Sequence, residues 1–285
     1  MLQVDEICYE IGDLTLHGVA CGDPHLPPVL LLHGWLDNAA SFLPLLPELK
    51  PGRYIAIDWP GHGFSSHRSS DAHYHFIDWV YDLLKLFEHN QWQQIDIIGH
   101  SMGGMIASAF AAAFPEKVRS LALIDSIGLV AGEAESTTTQ LRKGLLSRIS
   151  NQSKQKNRHP NLASAIKARV AVSDLTLEAA TLIVKRGIMQ QGSDFIWRSD
   201  SRLRNTSPYR LTLAQAKQLM ADVTSPVCVI RGEKGYDMVK QGIDVFSSVI
   251  TDITIHELPG GHHLHMEHPG AVAAKIHDFW LSLNR

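Results

Sequence analysis

The chain predicts an α/β fold: a mostly parallel, doubly wound sheet with a helical cap inserted after its sixth strand. Three observations carry that reading. Continuous apolar strands alternate with helical stretches, the pattern of a parallel sheet covered on both faces. The alternation breaks off after residue 126 and resumes near residue 225. A glycine-bracketed serine, Gly99-His100-Ser101-Met102-Gly103-Gly104, stands where one strand gives way to a helix.

The elements follow in order. Period-two alternation in Glu6–Ile11 and Leu14–Val19 suggests an antiparallel opening pair, turned at Gly12-Asp13. Val29–Leu32 is a buried strand, and a helix is expected over Asn38–Leu49. Next come the strand Tyr54–Ile57, a helix over Phe76–His89, the strand Ile95–Ile98 and the alanine-rich helix Met105–Ala113. Leu121–Ile124 is the sixth strand. Beyond the interruption, Val227–Ile230 and Ile253–His256 are strands, while Val239–Val249 and Ala271–Leu283 are helices. Residues 1–126 and 225–285 therefore form the expected core, and 127–224 the expected cap.

Within the cap, helical patterns run over Leu162–Val172, Leu175–Arg186 and Leu213–Leu219. Its first part carries Arg142, Lys143, Arg148, Lys154, Lys156 and Arg158 with no acid between them. Such a run either binds an anionic group or forms a solvated face, and the solvated face is the simpler reading.

Bulk properties set the partners to expect. At 285 residues, 45% apolar and 19% charged, the chain can bury a large core. A net charge of −3 gives no reason to expect nucleic acid or an anionic membrane as partner. Cys8, Cys21 and Cys228 are scattered without metal spacing, which suits reduced thiols in a cytoplasm. No stretch reads as a signal peptide or a membrane span, so a cytoplasmic protein is expected.

The serine motif has a physical logic. A sharp strand-to-helix turn puts the serine in strained backbone angles, and side chains at Gly99, Gly103 or Gly104 would collide with the crossing elements. The hydroxyl then stands clear at the carboxyl end of the sheet above a helix N-terminus. Ser101 is thus the expected nucleophile. His262, after the last strand and directly behind Gly260-Gly261, is the expected base. Its neighbours His263, His265 and His268 could suggest a metal site, but no matching ligand set accompanies them, so they read as loop and helix start. The oxyanion calls for two amides, for which Met102 and Trp35 are the candidates, the latter in His33-Gly34-Trp35-Leu36-Asp37-Asn38. Asp58 and His62, in Asp58-Trp59-Pro60-Gly61-His62-Gly63, are given structural roles.

Together, His33-Gly34, the Asp58–Gly63 turn, the serine elbow, and Gly261-His262 with Glu267 and Pro269 resemble the α/β-hydrolase superfamily across nearly the whole chain. Within it, the stretches His33–Phe42 and Arg231–Tyr236 resemble the serine-hydrolase-like (kraken-type) proteins. The resemblance implies ester-type hydrolysis of a small molecule without cofactor or metal. One position departs from it. Superfamily members usually carry an aspartate three residues past a glycine ending the seventh strand, and here that position is Gly235. Asp125 at the end of the sixth strand, Asp237 and Glu233 are the alternatives, and Asp125 is preferred. It matches the place where one class of haloalkane dehalogenases supplies its acid. The expected activity is that of a carboxylesterase on small to medium acyl esters. A thioesterase, a carbon–carbon bond hydrolase, or a non-catalytic receptor keeping the pocket are the alternatives.

Overall fold

The computed structural model describes residues 3–152, 154 and 156–284. Its centre is an eight-stranded sheet: β1 (Asp5–Glu10), β2 (Thr15–Gly22), β3 (Pro28–Leu32), β4 (Arg53–Ile57), β5 (Ile95–His100), β6 (Val118–Ile124), β7 (Val227–Gly232) and β8 (Ile253–Leu258). The order is β1-β2-β4-β3-β5-β6-β7-β8. The first two strands run antiparallel, and the six from β4 to β8 run parallel to one another.

Because strand side chains alternate, one run of apolar residues feeds two cores. Leu30, Leu32, Ile97, Leu121, Leu123, Val227 and Val229 face one cluster. Helices α1 (Phe76–Asn90) and α2 (Met102–Ala113) cover it. Val29, Leu31, Ile98, Ala122, Ile124, Cys228 and Ile230 face the other. The expected helix over Asn38–Leu49 is on that side, but it is two 3-10 turns, Ala39–Phe42 and Leu46–Glu48. Pro44 and Pro47 explain the correction, since proline lacks the amide and clashes with the preceding turn.

Between β6 and β7 come α3 (Thr137–Gln152), α4 (Leu162–Val170), α5 (Leu177–Gly187) and α6 (Leu213–Ala221). α3 lies in the basic run, where no helix was assigned from the sequence. A small sheet of Arg158–His159, Ile188–Gln191 and Asp194–Trp197 was also not anticipated. α4 and α5 form their own apolar cluster around Ile166, Leu175, Ile183 and Val184, and Met266 from the far end of the chain enters it. α6 instead puts Ala216 and Met220 into the same cluster as α2. The chain closes with α7 (Asp237–Phe246) and α8 (Pro269–Ser282). Among the described residues no helix is long and apolar enough to cross a membrane.

Candidate active site

The serine turn is strained in the way its glycines require. Ser101 has φ 50° and ψ −120°, a combination open to few L residues. A Cβ at Gly99 would lie 2.6 Å from Gly104 Cα, and one at Gly103 would lie 2.1 Å from the Leu32 carbonyl oxygen. The turn is held from the side as well, where Ser126 Oγ donates to the Ser101 carbonyl at 2.8 Å. α2 begins at Met102, so its unsatisfied amides and positive dipole end lie directly behind the hydroxyl.

His262 is buried, and its Nδ1 lies 2.5 Å from Asp125 Oδ2. A carboxylate can only accept, so Nδ1 carries the hydrogen and Nε2 is left with its lone pair. The histidine loop is tied to the serine turn through His100, whose Nε2–H donates to the His262 carbonyl at 2.9 Å. Tyr236 stacks on the imidazole, with centroids 3.8 Å apart and planes 18° apart. Among the described residues no hydrogen bond joins the Ser101 hydroxyl to His262, and such bonds commonly tighten only around substrate.

Asp125 explains the departure at position 235. It is buried at the end of β6 with φ 41°, which aspartate tolerates better than most residues. Its Oδ1 accepts from the Gly232 amide at 3.1 Å, and its Oδ2 from the Tyr236 amide at 3.3 Å. A Cβ on Gly235 would fall 2.2 Å from Asp125 Oδ1. The carboxylate fills the space a side chain at 235 would need. Asp237 and Glu233, the other two candidates, are exposed, and neither contacts His262 among the described residues. Asp237 opens α7 instead, where its charge suits the helix N-terminus.

The oxyanion candidates lie on either side of the serine. Gly34 is packed so closely that a Cβ there would come within 3.1 Å of Ser101 Cβ. The turn from Gly34 to Asp37 closes with a 3.2 Å backbone hydrogen bond and holds Leu36 at φ 62°. Trp35 lies within it, half-exposed, its indole N–H donating to the Leu203 carbonyl at 3.1 Å. Neither the Trp35 nor the Met102 amide has a protein acceptor among the described residues, so both can serve a ligand. Beneath the turn, buried His33 donates from Nδ1 to the Gly34 carbonyl and accepts the Trp59 amide at Nε2, and burial lowers its pKa to about 4. Asp58 accepts the amides of Ala39 and Phe64 and the guanidinium of Arg186, while His62 packs against His33.

A second cluster escaped the sequence reading. His263 puts Nδ1 2.5 Å from Asp174 Oδ1 and Nε2 3.2 Å from Asp37 Oδ2, and Arg169 reaches the other Asp37 oxygen at 2.5 Å. With both ring nitrogens against carboxylates, His263 is an imidazolium. Burial pushes its pKa down, but Asp37 and Asp174 outweigh this and raise it to about 9. Burial likewise pushes Asp37 and Asp174 upward, yet His263 holds both below the usual carboxylate range. Asp37, His100 and His263 place donor atoms within 4.8 Å of one another. Those on Asp37 and His263 are already engaged in ion pairs. His265 is buried against Phe42 and His100, and burial takes its pKa down to about 3. Nothing in the sequence brings Asp37 or Asp174 to His263; only the fold does.

Comparison with known proteins agrees with the fold. Residues 27–269 match the model of the alpha/beta hydrolase fold family. A serine hydrolase-like protein of Danio rerio is 33% identical over 93% of this chain and 84% of its own length. Serine hydrolase-like protein 2 of Homo sapiens is 30% identical over 91% and 88%. The crystal structure of a hypothetical protein from Pseudomonas aeruginosa PAO1 superposes with a TM-score of 0.91 at 34% identity, covering 98% of this chain and 99% of that one. The chain belongs to the α/β-hydrolase family, among its serine-hydrolase-like members.

Proposed function

We propose that the protein is a carboxylesterase for small to medium acyl esters, working through Ser101, His262 and Asp125. The observation that carries this is the Asp125–His262 contact at 2.5 Å beside a strained serine turn. His262 Nε2 takes the Ser101 proton as the hydroxyl oxygen attacks the ester carbonyl. The Trp35 and Met102 amides hold the negative oxygen that develops. The proton passes to the leaving alcohol, and water then attacks the acyl-enzyme with His262 again as base. Asp125 keeps the hydrogen on Nδ1, so that Nε2 is the basic nitrogen, and stabilises the imidazolium. Residues 127–224 act as a cap over the carboxyl ends of the strands and limit the size of the acyl group.

The receptor reading drew its support from the missing carboxylate at 235, and Asp125 beside the imidazole speaks against it. The test is a panel of p-nitrophenyl esters of increasing acyl length, with a thioester and a β-diketone alongside, and labelling by a fluorophosphonate probe. Ester turnover falling with chain length, with the label on Ser101, is expected. Labelling without ester turnover would move the substrate class to one of the other two bonds. No labelling would overturn the serine mechanism.

A further inference from the structure

α3 is built inside out. Its inward face is polar. Gln140 donates to the Ser207 carbonyl at 2.5 Å, and Ser147 accepts the Thr206 amide at 2.9 Å. Asn151 bonds Asn205 at 2.6 Å, and Arg148 lies 3.3 Å from His75 Nε2. The helix buries only Gly144, where a Cβ would lie 2.4 Å from Pro208 Cα. Leu141, Leu145 and Ile149 recur at four-residue spacing and therefore share a face, with Leu146 beside them. These four are 46% to 65% exposed. An ordinary surface helix turns its apolar stripe to the core. This one turns it to solvent.

The charge around the stripe is one-sided. From Ser136 to Ser173 the chain has eight cations and no acid. Arg169 and Arg158 are matched by Asp37 and Asp194, whereas Arg142 and Lys143 are exposed on α3 with no acidic partner among the described residues. Tyr209, exposed, lines the same small cleft as Thr137 and Gln140 at the helix's first turn. The net charge of −3 conceals this region, because the acids lie elsewhere.

We propose that the outward face of α3 docks on an anionic lipid bilayer, with Leu141, Leu145, Leu146 and Ile149 in the headgroup layer and Arg142 and Lys143 on lipid phosphates. An exposed apolar stripe flanked by cations is the chemistry of a helix lying in the membrane interface. Interfacial tyrosine fits the same setting. A second copy of the chain fits less well. A two-fold contact of α3 with α3 would gather the Arg142 and Lys143 of both copies at one interface, and α3 has no acid to pair with them.

The test is flotation of the full chain with vesicles of phosphatidylcholine alone, or of three parts phosphatidylcholine to one part phosphatidylglycerol. Expected is association with the anionic vesicles that weakens as salt rises. Two paired variants, Leu145→Gln with Ile149→Gln and Arg142→Gln with Lys143→Gln, should each bind roughly tenfold or more weakly. Their melting temperatures should stay at the wild-type value, since the side chains are exposed. No association with the anionic vesicles, or equal binding by the variants, would overturn the proposal. So would a lipid-free dimer in sedimentation that the Leu145/Ile149 variant dissolves, which would assign the face to a second copy.

Discussion

His262 and His263 are adjacent in the chain, buried alike, and set to opposite chemistry. His262 meets one carboxylate, Asp125, through Nδ1, and among the described residues its Nε2 has no hydrogen-bond partner. His263 meets two, Asp174 through Nδ1 and Asp37 through Nε2, and has no basic nitrogen left. One imidazole can act as a base and the other is a fixed cation. The second also has a mechanical task. Asp37 follows the Trp35 turn, Asp174 lies between α4 and α5, and Arg169 is on α4, so His263 joins the Trp35 turn, the α4–α5 pair and the histidine loop at one point. The count of carboxylates around a ring, more than its burial, decides which kind of histidine it is.

The largest expected effects test the basic histidine. Ser101→Ala and His262→Ala should each lower kcat by on the order of 10⁴ to 10⁶, and the double variant should be hardly worse, because the groups act as one unit. Additive losses in steady-state ester hydrolysis would break the assignment. Asp125→Asn should cost on the order of 10⁴ in kcat by favouring the wrong tautomer, whereas Asp237→Asn and Glu233→Gln should stay near wild type. Gly235→Ala, by pushing the Asp125 carboxylate aside, should cost about 10² in kcat with the fold intact by circular dichroism.

The fixed cation should show itself in stability. His263→Gln takes the shared partner from buried Asp37, which keeps Arg169, and from Asp174 at the surface. A loss of about 3 kcal/mol, the low end for a buried pair, is expected by denaturant unfolding, with a smaller loss of kcat than His262→Ala. The pH dependence has a definite sign. The His263 pKa is raised to about 9, so its contribution is complete below its ordinary 6.5 and disappears as pH climbs through 9. The lowered pKa values of Asp37 and Asp174 act at the other end, helping above the ordinary carboxylate range and failing as pH falls through it. Wild-type unfolding free energy should therefore decline between pH 6.5 and 9, and His263→Gln should flatten that decline. A slope unchanged by the substitution would show that His263 is neutral. The smallest effect expected is that of a chelator, which should leave ester turnover unchanged.

The parts legible in the sequence were those written in local spacing. The serine turn needs four residue choices within six positions, and glycine exclusion makes them specific; β7 opens on a plain apolar run, and β8 alternates isoleucine with polar residues over its first four positions. What was illegible depends on distance. Asp37, Arg169, Asp174 and His263 come from three separate stretches, and no pattern within any one of them announces the ion pairs. α3 escaped for a different reason. Its apolar residues have helical spacing, but among threonine, serine, glycine and lysine they do not point to a core, and they do not pack into one. The over-read helix at Asn38–Leu49 shows the reverse, an apolar run in which two prolines outweigh pattern.

Gly235 and Asp125 occupy one volume, and this constrains how such a chain could change. Moving the acid from the end of β6 to the loop after β7 takes two substitutions. Gaining the new aspartate first puts two carboxylates into a space built for one, where steric overlap and like charge both oppose it. Losing Asp125 first leaves His262 with neither orientation nor counter-charge. Each order passes through an impaired intermediate. The two positions form a lock in sequence space, in which a glycine with no chemistry of its own records where the acid is.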